Sequence, residues 1–309
     1  MTPEALAYLN EALDYIEANS VLRNRIDWLA LRQQAIDLVT HAQTVQDTYP
    51  AIEFTLQRLG DNHSFFHRPE QEQERLSGMN KRIGVYTTHP EGVVVVVFAG
   101  SPAQQAAILV GDRIIEINGQ APATLTRRQF NKLLREEQVN LLLQPKGQQD
   151  LRAISLEATI IDERRLPEGR RLTPHVGYLE LPGIPGSPEH KQLYMAQAQR
   201  LLQEIDQNTV CGWVLDLRRN EGGNMWPMLA GIGSLLGEGQ CLAMVSSWEN
   251  VPIFYREGRV FAQERWEELS ERVEVPYQLH YPTPPVAVLT SPCTCSSGEF
   301  VTLAFRERP

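Results

Sequence analysis

The run Gly212-Trp213-Val214-Leu215-Asp216-Leu217-Arg218-Arg219-Asn220-Glu221-Gly222-Gly223-Asn224, followed by Met225–Leu236, decides the fold. Its first half is short and nearly continuously apolar, the pattern of a strand buried on both faces. The paired glycines mark a tight turn, and Met225–Leu236 reads as a helix. Working outward, Val176–Leu181 and Val286–Thr290 read as further strands, with the helix His190–Ile205 between the first two. Strand and helix alternate, which predicts an α/β fold with a largely parallel sheet and helices packed on it. The last strand runs into Ser291-Pro292-Cys293-Thr294-Cys295-Ser296-Ser297-Gly298-Glu299, a small-residue turn that opens a helix over Glu299–Phe305.

Upstream the pattern changes. Ile83-Gly84-Val85-Tyr86, Val93–Phe98, Arg113–Ile117 and Val139–Leu143 read as strands, and Asn118-Gly119 is a strong hairpin signal. Pro102–Leu109 and Thr126–Glu136 read as helices, so this region is a β-rich unit with two helices. Further upstream, Leu6, Leu9, Leu13 and Ile16, then Ile26, Leu29, Leu31, Ala35 and Leu38, recur at helical spacing. Residues 61–80 are polar and read as loop and linker. Three regions are therefore expected: a helical 1–80, a compact 81–160 that folds as a separate unit, and an α/β core at 161–309.

Composition narrows the function. The chain has 309 residues, 42% of them hydrophobic and 22% charged, ordinary for a protein able to bury a sizeable core. Lys and Arg number 29 against 38 Asp and Glu, a formal charge of −9. Such a surface repels phosphate backbones and no basic run offsets it, so nucleic acid is not expected as a partner. The longest apolar run, Val93–Ala99, is far short of the roughly 20 residues of a membrane span. The start Met1-Thr2-Pro3-Glu4 has no signal-peptide character, which points to the cytoplasm. Cys211, Cys241, Cys293 and Cys295 make no disulfide framework, and Cys293-x-Cys295 has no second pair with which to hold a metal; no cofactor is expected.

Three stretches carry chemistry: Leu59-Gly60-Asp61-Asn62-His63-Ser64, the glycine turn after Leu217, and the turn around Ser296. Backbone N–H groups are unpaired at a helix N-terminus and after a glycine turn, so they can stabilise an oxyanion. A serine at the head of a helix beyond a strand suits a nucleophile, and is equally the commonest helix cap. Gly222-Gly223 serves as a donor pair or only as a tight turn. His63 alone reads as a surface histidine as readily as a base. Glu299 either bonds within the site or simply favours a helix N-terminus.

Together the three stretches resemble the C-terminal-processing, or tail-specific, serine peptidases. Residues 59–64 are similar to that family's N-terminal motif, 215–223 to its Leu-Asp-Leu-Arg-x-Asn-x-Gly-Gly motif, and 294–299 to its nucleophile motif, with Cys295 in place of the usual alanine. The middle region, from Ala99-Gly100-Ser101-Pro102-Ala103 to Gly111-Asp112 and Ile117-Asn118-Gly119, resembles a bacterial PDZ domain. The resemblance implies a ClpP/crotonase-like protease core with an inserted PDZ domain and an N-terminal helical segment. It implies Ser296 as nucleophile, with the N–H groups of Gly222, Gly223 and Ser297 as oxyanion donors. Arg82, Ile83, Gly84 and Val85 would form the loop and strand that hold a peptide carboxylate.

The family divides over the base. One branch uses a lysine beyond the serine, and the tricorn-like branch uses the histidine of the first motif. Lys191 is the last lysine of this sequence, so the resemblance implies His63, with Ser64 beside it as an orienting group. The family core continues for further strands and an acidic orienting residue, so a chain cut short within the last helix is expected, with little or no activity as it stands. The implied function is a serine-type endopeptidase acting on polypeptides with unstructured C-termini, with no cofactor and an oligomeric state left open. The other reading is a catalytically incomplete, PDZ-containing peptide-binding protein.

Overall fold

The computed structural model describes residues 1–61, 64–185, 187–246, 249–262 and 270–306. Its chain divides into two compact units, Met1–Gln73 with Ser246–Glu249, and Glu74–Val245 with Asn250–Pro309. In the first unit, helices α1 (Pro3–Asn19), α2 (Trp28–Leu38) and α3 (Tyr49–Leu59) share one core in which Leu9, Leu13 and Ala35 of the expected pattern meet Ile52, whereas Leu6, Leu29 and Leu38 of that pattern face outward. Each start has a local cause. Thr2 caps α1 by accepting the Ala5 N–H, and Asp27 caps α2 through Ala30. α3 ends at Gly60. The polar stretch that follows is not all loop, because Pro69–Ser77 forms α4. Its Pro sits where the first helical N–H would be unpaired, and Glu70 and Glu72 favour the positive end of the helix.

The second unit opens with a small β-rich body. Strand β1 (Met79–Arg82) leads in and pairs antiparallel with β7 (Thr159–Asp162), which leads out. Between them lie β2 (Val85–Thr87), β3 (Val94–Val97), α5 (Pro102–Gln105), β4 (Arg113–Ile117), α6 (Arg127–Leu133), β5 (Gln138–Gln144) and β6 (Arg152–Glu157). Ile83, Val94, Ile114, Ile117, Phe130, Val139 and Leu143 fill its core. Helix α6 starts in a capping box: Thr126 and Gln129 each bind the other's backbone N–H. Two expectations are corrected. The helix at Pro102 stops at Gln105, since Ala107 turns left-handed at φ 55° and the Ile108 N–H folds back to Ala103. Asn118 and Gly119 do make a tight turn with positive φ, closed by one antiparallel bridge between Ile117 and Gln120, but the hairpin extends no further, because the ladder partner of β4 is β5, beyond α6.

The larger body continues with β8 (Glu168–Thr173), β9 (Val176–Glu180), α7 (Pro188–Ile205), β10 (Gly212–Asp216), α8 (Met225–Gly231), α9 (Gly233–Leu236), four strands, and then β15 and α10. The four are β11 (Gly239–Val245), β12 (Asn250–Arg256), β13 (Arg259–Ala262) and β14 (Ser270–Arg272), a meander that the sequence reading passed over. Strand β15 (Val286–Leu289) and helix α10 (Ser297–Ala304) end the chain's regular structure. The central sheet has the order β15-β10-β9-β8, parallel across β15, β10 and β9 as expected, with β8 added antiparallel as an exposed edge. The predicted helix over Met225–Leu236 breaks at Ile232 into α8 and α9.

Register decides what this sheet can do. Asp216 lies opposite both Glu180 and Leu289, so the three parallel strands end at one level. The segments after β9, β10 and β15 therefore emerge side by side at the carboxyl edge, the usual place for a site in such a sheet. Behind it, the inner face of the meander (Val251, Ile253, Tyr255, Val260) joins α7 and α8 in one core. Packing is close there. A Cβ on Gly233 would lie 1.8 Å from Cε2 of the buried Tyr255 ring. Gly233→Ala would gain up to about 1 kcal/mol in helix propensity, but forcing the ring aside costs about 1–3 kcal/mol. A lower urea midpoint is expected for this variant, and an unchanged or raised midpoint would show that the ring yields freely.

Candidate active site

The glycine turn and the serine turn are held together by one side chain. Asn220 is fully buried; its Oδ1 accepts the Gly222 N–H at 2.9 Å and its Nδ2 donates to the Leu181 carbonyl at 3.0 Å. Its own carbonyl accepts the Cys295 N–H at 3.1 Å. Asn220 thus links the ends of β9, β10 and β15. Its position inside the glycine motif was visible in the sequence, but nothing there separated a buried linker from an exposed loop residue. A second set of bonds fixes the serine turn from below: Thr294 Oγ1 donates to Leu217, and Ser291 Oγ to Arg218.

Ser296 occupies the N-cap position of α10 with φ 52° and ψ −119°. An L-residue pays about 1–3 kcal/mol for such a conformation, which persists only where its surroundings enforce it. The enforcing contacts are visible: the Ser296 N–H donates to Glu299 Oε2 at 2.6 Å, and Gly222 packs directly against the serine. A Cβ on Gly222 would sit 2.8 Å from Ser296 Cβ and 3.0 Å from the Cys295 carbonyl. Gly222 and Gly223 have φ of 101° and 113°, and a Cβ on Gly223 would strike the Ile184 carbonyl at 2.0 Å, so side chains are excluded from both positions.

The expected donors fare differently. The Gly222 N–H is already bound by Asn220, so its expected oxyanion role is corrected: what Gly222 supplies is closeness to Ser296. The N–H groups of Gly223 and Ser297 have no acceptor among the described residues. The Ser297 hydroxyl donates to the Gly223 carbonyl at 2.6 Å and ties these two peptide units together. His63 lies outside the described residues. In the first unit, Ser64 gives its N–H to Asp61 Oδ1 at 2.6 Å and its hydroxyl to Asp61 Oδ2 at 2.8 Å, a tight brace across the motif.

The expected carboxylate loop is likewise committed elsewhere. Arg82 is 4% exposed and forms a buried ion pair with Glu163, while its guanidinium also lies over the Tyr86 ring. A buried cation needs such a partner, which keeps Arg82 from facing a peptide. The Ile83 N–H donates to Leu134 at 3.2 Å and the Gly84 carbonyl accepts from Phe98 at 3.0 Å. Val85 starts β2, whose single neighbour among the described strands is β3.

Charge surrounds the glycine turn. Burial pushes the Glu221 carboxyl up to about 7, against the pull of Arg82, Arg127 and Arg135 and with Glu163 adding to the rise. Arg127, the first residue of α6, reaches the serine turn: its guanidinium donates to the Pro292 carbonyl at 3.3 Å and approaches Cys295 Sγ at 3.9 Å. Burial also raises the Cys295 thiol, so it stays protonated near neutral pH.

Residues 175–309 match the model of peptidase family S41 and residues 93–145 match that of the PDZ domain. Among individual relatives, a carboxyl-terminal-processing protease of Synechocystis sp. is 24% identical over 243 residues, covering 72% of this chain and 55% of that protein. A chloroplastic carboxyl-terminal-processing peptidase 2 of Arabidopsis thaliana is 26% identical over 250 residues, covering 72% of this chain and 47% of its own. The chain thus spans about half the length of these curated relatives. The solved structure of a photosystem II D1 C-terminal processing protease superposes with a TM-score of 0.63 at 19% identity, over 99% of this chain and 79% of that one. That likeness establishes the fold. No helix among the described residues is long and apolar enough to cross a membrane.

Two outcomes follow from the geometry. Asn220→Ala leaves two buried backbone groups without partners, and a loss of about 2–4 kcal/mol in urea unfolding is expected; a variant as stable as the parent would show that Asn220 is not the link. Glu221 titrates higher folded than its ordinary 4.5, so the folded state holds the proton more tightly and wild-type stability falls as pH rises from about 4.5 to about 7. Glu221→Gln removes that fall. Its stability relative to wild type should rise across this window, read from thermal melts at stepped pH, and a constant difference would place Glu221 in solvent.

Proposed function

We propose that this chain is a serine-type endopeptidase that captures the C-terminal ends of polypeptides through its PDZ domain and cleaves them with Ser296. The observation that carries this reading is the strained backbone of Ser296 on a strand-to-helix turn, next to two amides that have no acceptor among the described residues. In the proposed reaction Ser296 Oγ attacks the scissile carbonyl, and the N–H groups of Gly223 and Ser297 receive the negative charge that develops on its oxygen. A single such donor contributes about 10²–10³ in rate. A serine hydroxyl is a weak nucleophile until a base takes its proton, and we assign that role to His63, which would then protonate the departing amine. Asp61 and Ser64, which flank it in sequence, are hydrogen-bonded to each other. The relatives named as carboxyl-terminal-processing proteases support the same assignment.

Substrate capture is proposed at the PDZ domain. Strand β2 pairs on one side only among the described strands, and at its other edge a peptide can add as a further antiparallel strand. Arg82 is left out of this role by its ion pair, so the carboxylate would be held by backbone N–H groups.

The test is labelling of the full chain with a fluorophosphonate probe, together with cleavage of an unfolded polypeptide. Ser296→Ala is expected to abolish both, and His63→Ala to lower the cleavage rate by about 10²–10⁴. A folded chain that takes up no probe would instead be a peptide-binding protein, and labelling that survives Ser296→Ala would remove Ser296 from the mechanism.

A further inference from the structure

The outer face of the β11–β14 meander carries a feature that neither the proposed chemistry nor the core explains. In the register of this sheet Arg256 lies opposite Arg259, and Arg259 opposite Arg272, so three arginines form a row across β12, β13 and β14. All three are exposed. Two residues along, on the same face, Phe254 lies opposite Phe261, their rings stacked at 5.8 Å, and the Arg259 guanidinium lies over Phe261 at 5.3 Å. The opposite face, Ile253, Tyr255, Val260 and Ala262, is buried in the core. The row is therefore fixed outward by the period of the strands and cannot turn in.

Like charges directly opposite each other on neighbouring strands oppose pairing. Several arginines elsewhere in this chain are neutralised: Arg165 and Arg219 by Glu180, Arg218 by Asp216, Arg164 by Asp162. Among the described residues none of the three meander arginines has a carboxylate in ion-pair contact, and Arg259 gives one hydrogen bond, to Ser270 Oγ at 3.2 Å. Arg256, Arg259 and Arg272, with Phe261 and one carboxylate, Glu257, line a shallow cavity of about 220 Å³. A net cationic cavity thus stands on a protein whose formal charge is −9.

We propose that this face is a docking surface for an acidic segment of polypeptide, whose carboxylates meet the arginine row while an apolar or aromatic side chain lies on the Phe254–Phe261 pair. Arginine forks match carboxylates in two-point contacts, and arginine beside aromatic rings is the composition of protein-binding hot spots. The charge of the whole chain selects among anions. A long phosphate backbone would extend beyond the patch over a repelling surface, whereas a short acidic peptide ends within it. The site is separate from Ser296, and the inference stands whether or not the chain is a peptidase.

The experiment titrates a fluorescein-labelled, C-terminally amidated peptide of alternating glutamate and tyrosine into the full chain carrying Ser296→Ala, followed by fluorescence anisotropy. The amide removes the free carboxylate that a PDZ domain would recognise. Replacing all three arginines with alanine is expected to weaken binding about tenfold, the loss of three exposed charge contacts, with Arg25→Ala as an unaffected control. Added salt should weaken binding to the parent and leave the triple variant nearly unchanged. Arg259→Glu alone, in the middle of the row, should weaken it at least as much, which keeps the test open if the triple variant folds poorly. Equal binding by parent and variants overturns the proposal. So does tighter binding of an oligodeoxythymidylate of the same charge that is lost in the triple variant, or a self-association of the chain, seen by sedimentation, that the triple variant abolishes.

Discussion

Everything at the candidate site depends on where three strands stop. Because Asp216 is level with Glu180 on one side and Leu289 on the other, three loops leave the sheet together, and backbone bonds carry the alignment beyond the strand ends. The Leu181 N–H bonds to Asp216, the Leu217 N–H to Leu289, and Ile184 bridges to the glycine turn on both sides. A register slip of one residue on β10 would turn the inward side chains of that strand outward and carry Asn220 away from Leu181. Sheet pairing, not any feature of the loops themselves, therefore sets how near Gly222 comes to Ser296.

The parts of this arrangement that could be read from sequence are those with a local cause. The continuous apolar runs at Gly212–Leu217 and Val286–Thr290 both read as buried parallel strands; both became parallel strands, but β15 lies at the edge of the sheet and is only half-buried. Helices α1 and α2 formed as well, where helical spacing and good caps agree. The meander from Gly239 to Arg272 was missed because its strands are half-exposed and lean on partners distant in sequence, such as Gly233 against Tyr255. Breaks inside α-helical patterns, at Ala107 and Ile232, were also invisible, since composition favours helix there and only packing interrupts it.

At the site, residue types were legible and hydrogen-bond partners were not. The motif shows two glycines next to an asparagine, but it cannot show that the asparagine takes up the first glycine's N–H. Likewise an arginine before Ile83-Gly84 suits a carboxylate until Glu163 is seen beside it, from a segment eighty residues away in the chain. Burial makes such pairings compulsory, and burial is a property of the assembled unit. Arg127 belongs to the same class of contact: a residue of the PDZ region resting on the serine turn.

The left-handed backbone at Ser296 also has a meaning for how the chain can change. At this position glycine would hold the same turn at lower cost, so random substitution under selection for folding alone drifts toward losing the hydroxyl. Most of the surrounding sequence is free of that conflict, because Thr294, Ser297 and Asn220 contribute bonds that steady the turn. The hydroxyl of Ser296 therefore sits where the backbone itself favours glycine, and the capping box it shares with Glu299 is what folding sets against that drift.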